Sequence, residues 1–288
     1  MIIFFLQAHG AMTFQPDGNA VFSSTNPVLR KNSFFFKVRQ VYAFFCTFAG
    51  NYSDTVISEM TTDTLFRLPD DVRACLFDFD FTLADGSPWI VECYQKILQQ
   101  HGFTGIKDET IRGTIGLTVE DSFARMTGLT DYDRCRQLRI EFKAICRPQI
   151  AAKTAFFKDA LNFVERLKAA GIRSAIVSTK ETVAIHQTLA MHHVEQLFDC
   201  VVGLTEVTAP KPSPEGINYA LKQLQLLPEE TIYFGDNPVD GEAARRAGTK
   251  YIGVAKGMHT PQQLSEFPHL AIIENYDHLL LPLPRQSK

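Results

Sequence analysis

Two carboxylates separated by a single residue, Asp78 and Asp80, stand in the run Asp78-Phe79-Asp80-Phe81-Thr82, directly after a short apolar stretch. An aspartate can attack phosphorus and carry the phosphoryl group as an aspartyl-phosphate. A second carboxyl two residues on can protonate the leaving alkoxide, then take a proton from the water that cleaves the intermediate. Further along come Ser178-Thr179, Lys211 between Pro210 and Pro212, and Gly235-Asp236-Asn237-Pro238-Val239-Asp240. A lysine and a hydroxyl suit the equatorial phosphoryl oxygens, over which charge spreads during transfer. Clustered carboxylates repel one another, and a hard divalent cation relieves that repulsion. Mg²⁺ prefers such oxygen ligands and keeps substrate phosphate and water in its shell. Taken singly, each residue also has a plainer explanation. Asp236, Ser178 or Thr179 can cap a helix, and Lys211 can be a solvated loop charge.

Position decides between these explanations. Ala74-Cys75-Leu76-Phe77 is a short apolar run typical of a buried strand, and Asp78 follows it. Strands are likewise predicted at Ser174–Val177, Cys200–Gly203, Thr231–Phe234, Tyr251–Val254 and Ala271–Ile273. Between them, amphipathic helices are predicted over Asp159–Ala170, Glu181–Met191, Pro214–Leu224 and Val239–Ala247, two of them ending at Gly171 and Gly248. Alternating units of this kind specify an α/β fold with a parallel sheet covered on both faces. In such sheets ligands bind beyond the carboxyl ends of the strands, and each candidate residue follows a separate strand. Residues 86 to 150 interrupt the pattern. Ile90, Val91, Tyr94, Ile97 and Leu98 recur at helical spacing, as do Leu138, Phe142 and Ile145, so a helical insertion after the first strand is expected.

The predicted organisation is therefore a core of residues 71–85 and 151–288 with a helical cap of residues 86–150. Residues 1–70 form an irregular extension, where ten of the 23 phenylalanines lie within the first 48 residues. Either the native start is Met60 or the extension is an extra helix or docking segment peculiar to this chain. The formal net charge of -3 gives no basic face for nucleic acid. The apolar run Ser33–Phe48 is broken by Lys37, Arg39 and Gln40, so no membrane span is expected. Cys46, Cys75, Cys93, Cys135, Cys146 and Cys200 show no zinc spacing and read as reduced thiols. The protein is expected to be soluble and cytoplasmic.

From about Arg73 onward the motifs together resemble the haloacid dehalogenase-like superfamily. The resemblance implies a Rossmann-like sheet with a cap, Asp78 as nucleophile and Mg²⁺ ligand, and Asp80 as acid/base offering its backbone carbonyl to the metal. It implies Thr179, or Ser178 beside it, as phosphoryl ligand and Lys211 as the lysine that steadies nucleophile and phosphate. Asp236 becomes a Mg²⁺ ligand, with Asp240 in or next to the shell. Asp85-Gly86-Ser87-Pro88 and the insertion resemble the phosphoglycolate phosphatase-like branch. Phe81 stands where most members have Gly, and Lys180 where Asn is common.

The implied function is a Mg²⁺-dependent phosphatase for a small-molecule phosphate ester, phosphoglycolate by default. Nucleoside monophosphates, pyrophosphate and sugar phosphates are the other substrate classes left open. A sugar phosphomutase of the same fold is the alternative, followed by a non-catalytic phosphometabolite-binding protein. Thr82 resembles the phosphatases rather than the mutases. Lys107, Arg112 and the Gly116-Leu117-Thr118 loop are candidate contacts from the cap.

Overall fold

The computed structural model describes residues 65–282 and the backbone of two strands near the start of the chain. Two units are present, Met1–Thr62 and Asp63–Lys288. In the first, β1 (Ala11–Phe14) pairs antiparallel with β2 (Ala20–Ser23), Ala11 lying opposite Ser23. The Ser33–Phe48 run and Met60 lie outside the described residues.

The second unit is built on six parallel strands: β4 (Ala74–Phe77), β7 (Arg173–Val177), β8 (Cys200–Val202), β9 (Thr231–Gly235), β10 (Lys250–Val254) and β11 (Ala271–Ile273). Their order is β11-β10-β9-β4-β7-β8. Every residue of β4 and β9 is buried, which requires apolar side chains on both faces. The period-2 alternation divides them. Cys75 and Phe77 face one layer with Ile232 and Phe234, against Phe163, Val164 and Leu167 of α5 (Lys158–Ala169) and Ile185 and Leu189 of α6 (Thr182–Met191). Ala74 and Leu76 face the other with Tyr233 and Tyr251, against Ile217 and Leu221 of α7 (Glu215–Leu224) and Ala243 and Ala244 of α8 (Pro238–Ala247). Phe77 stacks on Phe234 with ring centroids 4.9 Å apart. Burial of one such side chain contributes about 1.5–3 kcal/mol.

Topology then fixes where a ligand can sit. The chain leaves β4 for β7 on one side and later returns to β9 on the other. Connections that diverge from a central strand open a crevice at its carboxyl end. Asp78 begins that end.

The insertion comprises α1 (Ser87–Gln100), α2 (Asp108–Arg112), α3 (Val119–Thr127) and α4 (Tyr132–Lys153). It has its own apolar core, in which Tyr94 stacks on Phe142 at 4.2 Å and meets Phe123 edge-on at 5.0 Å. Thr118 caps α3 by accepting from Asp121 N, and Asp131 caps α4 by accepting from Asp133 N and Arg134 N. Pro148 lies inside α4, which continues to Lys153 instead of stopping near Ile150. The chain enters and leaves the insertion through two-residue strands, β5 (Ala84–Asp85) and β6 (Ala155–Phe156), paired antiparallel. Such short strands carry no periodicity of their own. The pairing of β3 (Phe66–Arg67) with β12 (Leu279–Leu280) is hidden in the sequence for the same reason. No helix among the described residues is long and apolar enough to cross a membrane.

Candidate active site

Asp78 leaves β4 with its backbone N–H still bonded to Phe234 O at 2.8 Å, so the ladder fixes its Cα. Its side chain is 2% exposed within the buried crevice. Lys211, also buried, donates from Nζ to Asp78 Oδ1 at 2.7 Å and to Asp240 Oδ1 at 2.5 Å. Burial works against the charge on Lys211, but Asp240 and Asp78 outweigh it and raise its pKa, so the ammonium stays protonated. The Tyr233 hydroxyl lies 3.1 Å from Lys211 Nζ and donates to Val177 O at 2.8 Å. Tyr233 thus braces the lysine from β9, a role its place in an apolar strand run did not reveal.

Carboxylate oxygens of Asp78, Asp236 and Asp240 lie within 4.8 Å of one another, and all three residues are buried. Lys211 offsets Asp78 and Asp240. Asp236 accepts a long hydrogen bond from the Thr82 hydroxyl on Oδ1 at 3.5 Å, with the Lys211 charge and its own backbone N–H as weaker support. Burial first, then repulsion from Asp240 and Asp78, pushes the Asp236 carboxyl well above the usual carboxylate range. An all-oxygen, net-anionic set of this kind fits a hard divalent cation, which would remove that penalty. Asp240 is more fully committed to protein donors. Its Oδ1 accepts from Lys211, with the Tyr233 oxygen 3.2 Å away, and its Oδ2 accepts from Asn237 N at 3.1 Å.

Asp80 faces elsewhere. Both of its oxygens accept from Lys180 Nζ at 3.0 Å, and it lines a chamber under the helical insertion. Burial raises its pKa against the pull of Lys180. The two aspartates of the first motif therefore serve different spaces. Lys180, which the sequence presented only as a departure from a family pattern, is the direct partner of Asp80 and also lies over the Phe79 ring.

The two adjacent hydroxyls also separate. Thr179 Oγ1 donates to Gly116 O of the insertion at 2.7 Å. Ser178 continues the β7 ladder through its N–H to Val202 O, and its hydroxyl accepts from Lys180 N at 3.3 Å, which leaves its proton to donate. Gly116 itself has φ +104°, and a Cβ there would lie 3.1 Å from Asn237 Nδ2. Among the other expected cap contacts, Gly116 and Leu117 line the chamber. Arg112 instead donates to Ser87 Oγ, and Lys107 is exposed.

The turn after Asp80 is unusual. Phe81 is 6% exposed and holds φ +59°, the left-handed region that costs an L residue about 1–2 kcal/mol. Gly257 packs close by, where an added Cβ would run into Asp236 Oδ2 and approach Phe81 Cβ. Gly257 follows β10, and only its close approach to Asp236 marks it out. The described cysteines Cys75, Cys93, Cys135, Cys146 and Cys200 are all free.

With this geometry in view, the chain can be placed. Residues 75–254 match the family model of the haloacid dehalogenase-like hydrolases, and the protein belongs to that family. Among its relatives, pyrophosphatase PpaX of Bacillus velezensis is 30% identical over 209 residues, 73% of this chain and 95% of the relative. A phosphoglycolate phosphatase of Colwellia psychrerythraea is 24% identical over 217 residues, 73% of this chain and 96% of the relative. A crystal structure of a haloacid dehalogenase-like hydrolase from Bacteroides fragilis superposes with a TM-score of 0.69 at 41% identity. It covers 71% of this chain and 97% of its own. The protein is thus a haloacid dehalogenase-like phosphatase with a six-stranded parallel core and a helical insertion after the first core strand.

Proposed function

We propose that the protein is a Mg²⁺-dependent phosphatase that hydrolyses a small-molecule phosphate monoester through an aspartyl-phosphate on Asp78. The observation that carries this reading is the division of the two aspartates. Asp78 belongs to the Lys211-braced carboxylate cluster, whereas Asp80 faces the chamber from which a leaving group would depart.

In this reading Asp78 attacks phosphorus with the oxygen that Lys211 does not hold, forming the O–P bond as the ester O–P bond breaks. Asp80 delivers its proton to the departing alkoxide; its raised pKa suits an acid that must be protonated at that moment. Asp80 then removes a proton from water, which attacks the aspartyl-phosphate, releases inorganic phosphate and restores the Asp78 carboxylate. Lys211 and Ser178 donate to phosphoryl oxygens, while Thr179 docks the insertion over the site. Asp78 and Asp236 would hold the cation through carboxylate oxygens and Asp80 through its backbone carbonyl. Asp240 supports them through Lys211 and the Asn237 N–H. When bound, the metal neutralises charge on the transferring phosphoryl group. In domain terms, residues 86–150 act as a cap closing on a core of residues 71–85 and 151–288.

The test is phosphate release from p-nitrophenyl phosphate with Mg²⁺, before and after EDTA. Release that EDTA abolishes and excess Mg²⁺ restores is expected. Undiminished release in EDTA would contradict the reading.

A further inference from the structure

The chamber under the helical insertion has a volume of about 120 Å³. A cavity of roughly 150 Å³ takes a benzene ring, so this one is close to ring-sized. Its walls are largely apolar, with Ile90, Tyr94, Leu117, Val119 and Phe142 from the insertion and Leu204 from the core. The charged groups among them are balanced. Lys143, Arg147 and Lys180 stand against Asp80, Glu120 and Glu181.

Each of those cations is also committed. Lys180 holds both oxygens of Asp80. Lys143 Nζ donates to Glu181 Oε1 at 2.5 Å, and Arg147 Nε donates to Glu181 Oε2 at 3.0 Å. Glu120 is held in turn by Arg139 at 2.9 Å. The hydroxyls of Ser122, Thr114 and Thr179 are occupied as well. Ser122 Oγ donates to Thr118 O at 2.9 Å, and Thr114 Oγ1 to Ile111 O at 2.7 Å.

A leaving group bearing a carboxylate or a second phosphate would enter this space with no uncommitted cation to meet it. It would meet only charges already paired within the protein and lose its hydration, which is costly without a partner. An uncharged ring would exchange water for apolar wall. We infer that the substrate's leaving group is an uncharged, ring-sized alcohol with an apolar face, and that Glu181 contributes to this preference by holding Lys143 and Arg147 in ion pairs. This rests on the phosphatase reading above and narrows it away from phosphoglycolate and pyrophosphate.

Benzyl phosphate and phosphoglycolate make a suitable pair, since both release an alkoxide and differ in charge and shape. With Mg²⁺ and the full chain, kcat/KM for benzyl phosphate should exceed those for phosphoglycolate and pyrophosphate by at least about tenfold. Glu181→Gln keeps the shape and frees the two cations. Within that variant, the ratio of phosphoglycolate to benzyl phosphate turnover should rise about tenfold over the same ratio in the parent. Because a ratio within one preparation is read, partial loss of folded protein does not affect it. A parent enzyme that prefers phosphoglycolate or pyrophosphate overturns the inference and leaves the phosphatase reading standing. A ratio that Glu181→Gln does not move overturns the role of Glu181. An enzyme that hydrolyses none of the three substrates overturns the inference, and one that also releases no phosphate from p-nitrophenyl phosphate overturns the phosphatase reading with it.

Discussion

The floor of the site and the chamber above it are built on opposite principles. On the floor, Asp78, Asp236 and Asp240 crowd three carboxylates around a single lysine, and the set stays net anionic. In the chamber, cations and carboxylates are matched one against another between apolar walls. An unbalanced buried charge is expensive unless something binds to offset it. Under the proposed function, a cation and a phosphoryl group would offset the charge of the floor. The chamber asks for no charge at all. Reaction and selectivity are separable because they occupy these two spaces, and Asp80 stands where the spaces meet.

The sharpest way to break that comparison is at Asp80. Asp80→Asn removes the proton carrier while leaving the floor's carboxylates and Lys211 in place. Turnover of an alkyl phosphate should fall about 10²–10⁴-fold. The fall should be clearly smaller for p-nitrophenyl phosphate, whose leaving group needs little protonation. Equal losses for both esters would place Asp80 on the floor, as a charge-bearing or structural group, and would erase the boundary drawn here.

A smaller effect is expected at Phe81, a buried residue with a left-handed backbone directly after Asp80. Phe81→Gly relieves about 1–2 kcal/mol of backbone strain and gives up a buried ring whose removal usually costs about 3–5 kcal/mol. A net loss of about 2 kcal/mol in unfolding free energy is predicted from these two figures, measured by denaturant titration. A variant as stable as the parent would mean that the buried ring adds no net packing energy.

The same contrast explains what the sequence could say. Floor residues follow strands whose apolar runs are legible, and the sheet brings together Asp78, Lys211, Asp236 and Asp240, which are scattered along the chain. Their chemistry is written in residue type. Tyr233 and Gly257 escaped notice because one sits inside an apolar strand run and the other acts through having no side chain. The chamber is a different matter. Glu181, Lys143 and Arg147 are ordinary charged residues of helices and their ends, and only their meeting across the gap between insertion and core gives them a role. Arg112, singled out by charge alone, turned instead to Ser87. Ser178 and Thr179 looked equivalent as neighbours, yet one follows the sheet edge and the other reaches the insertion at Gly116. Pairings of two residues, such as Ala84–Asp85 with Ala155–Phe156, are too short for any period to show.

The account depends most on Asp78 being the group that takes the phosphoryl. An acyl phosphate is reduced by borohydride, which would convert the phosphorylated aspartate to homoserine. Asp80→Asn protein, in which water attack is slowed, should be mixed with Mg²⁺ and p-nitrophenyl phosphate, quenched into borohydride and mapped by peptide mass. Homoserine at position 78 is predicted, and Asp78→Asn protein should give none. Homoserine at 236 or 240, or an unmodified 78 in protein that is releasing p-nitrophenol, would contradict the assignment of the nucleophile.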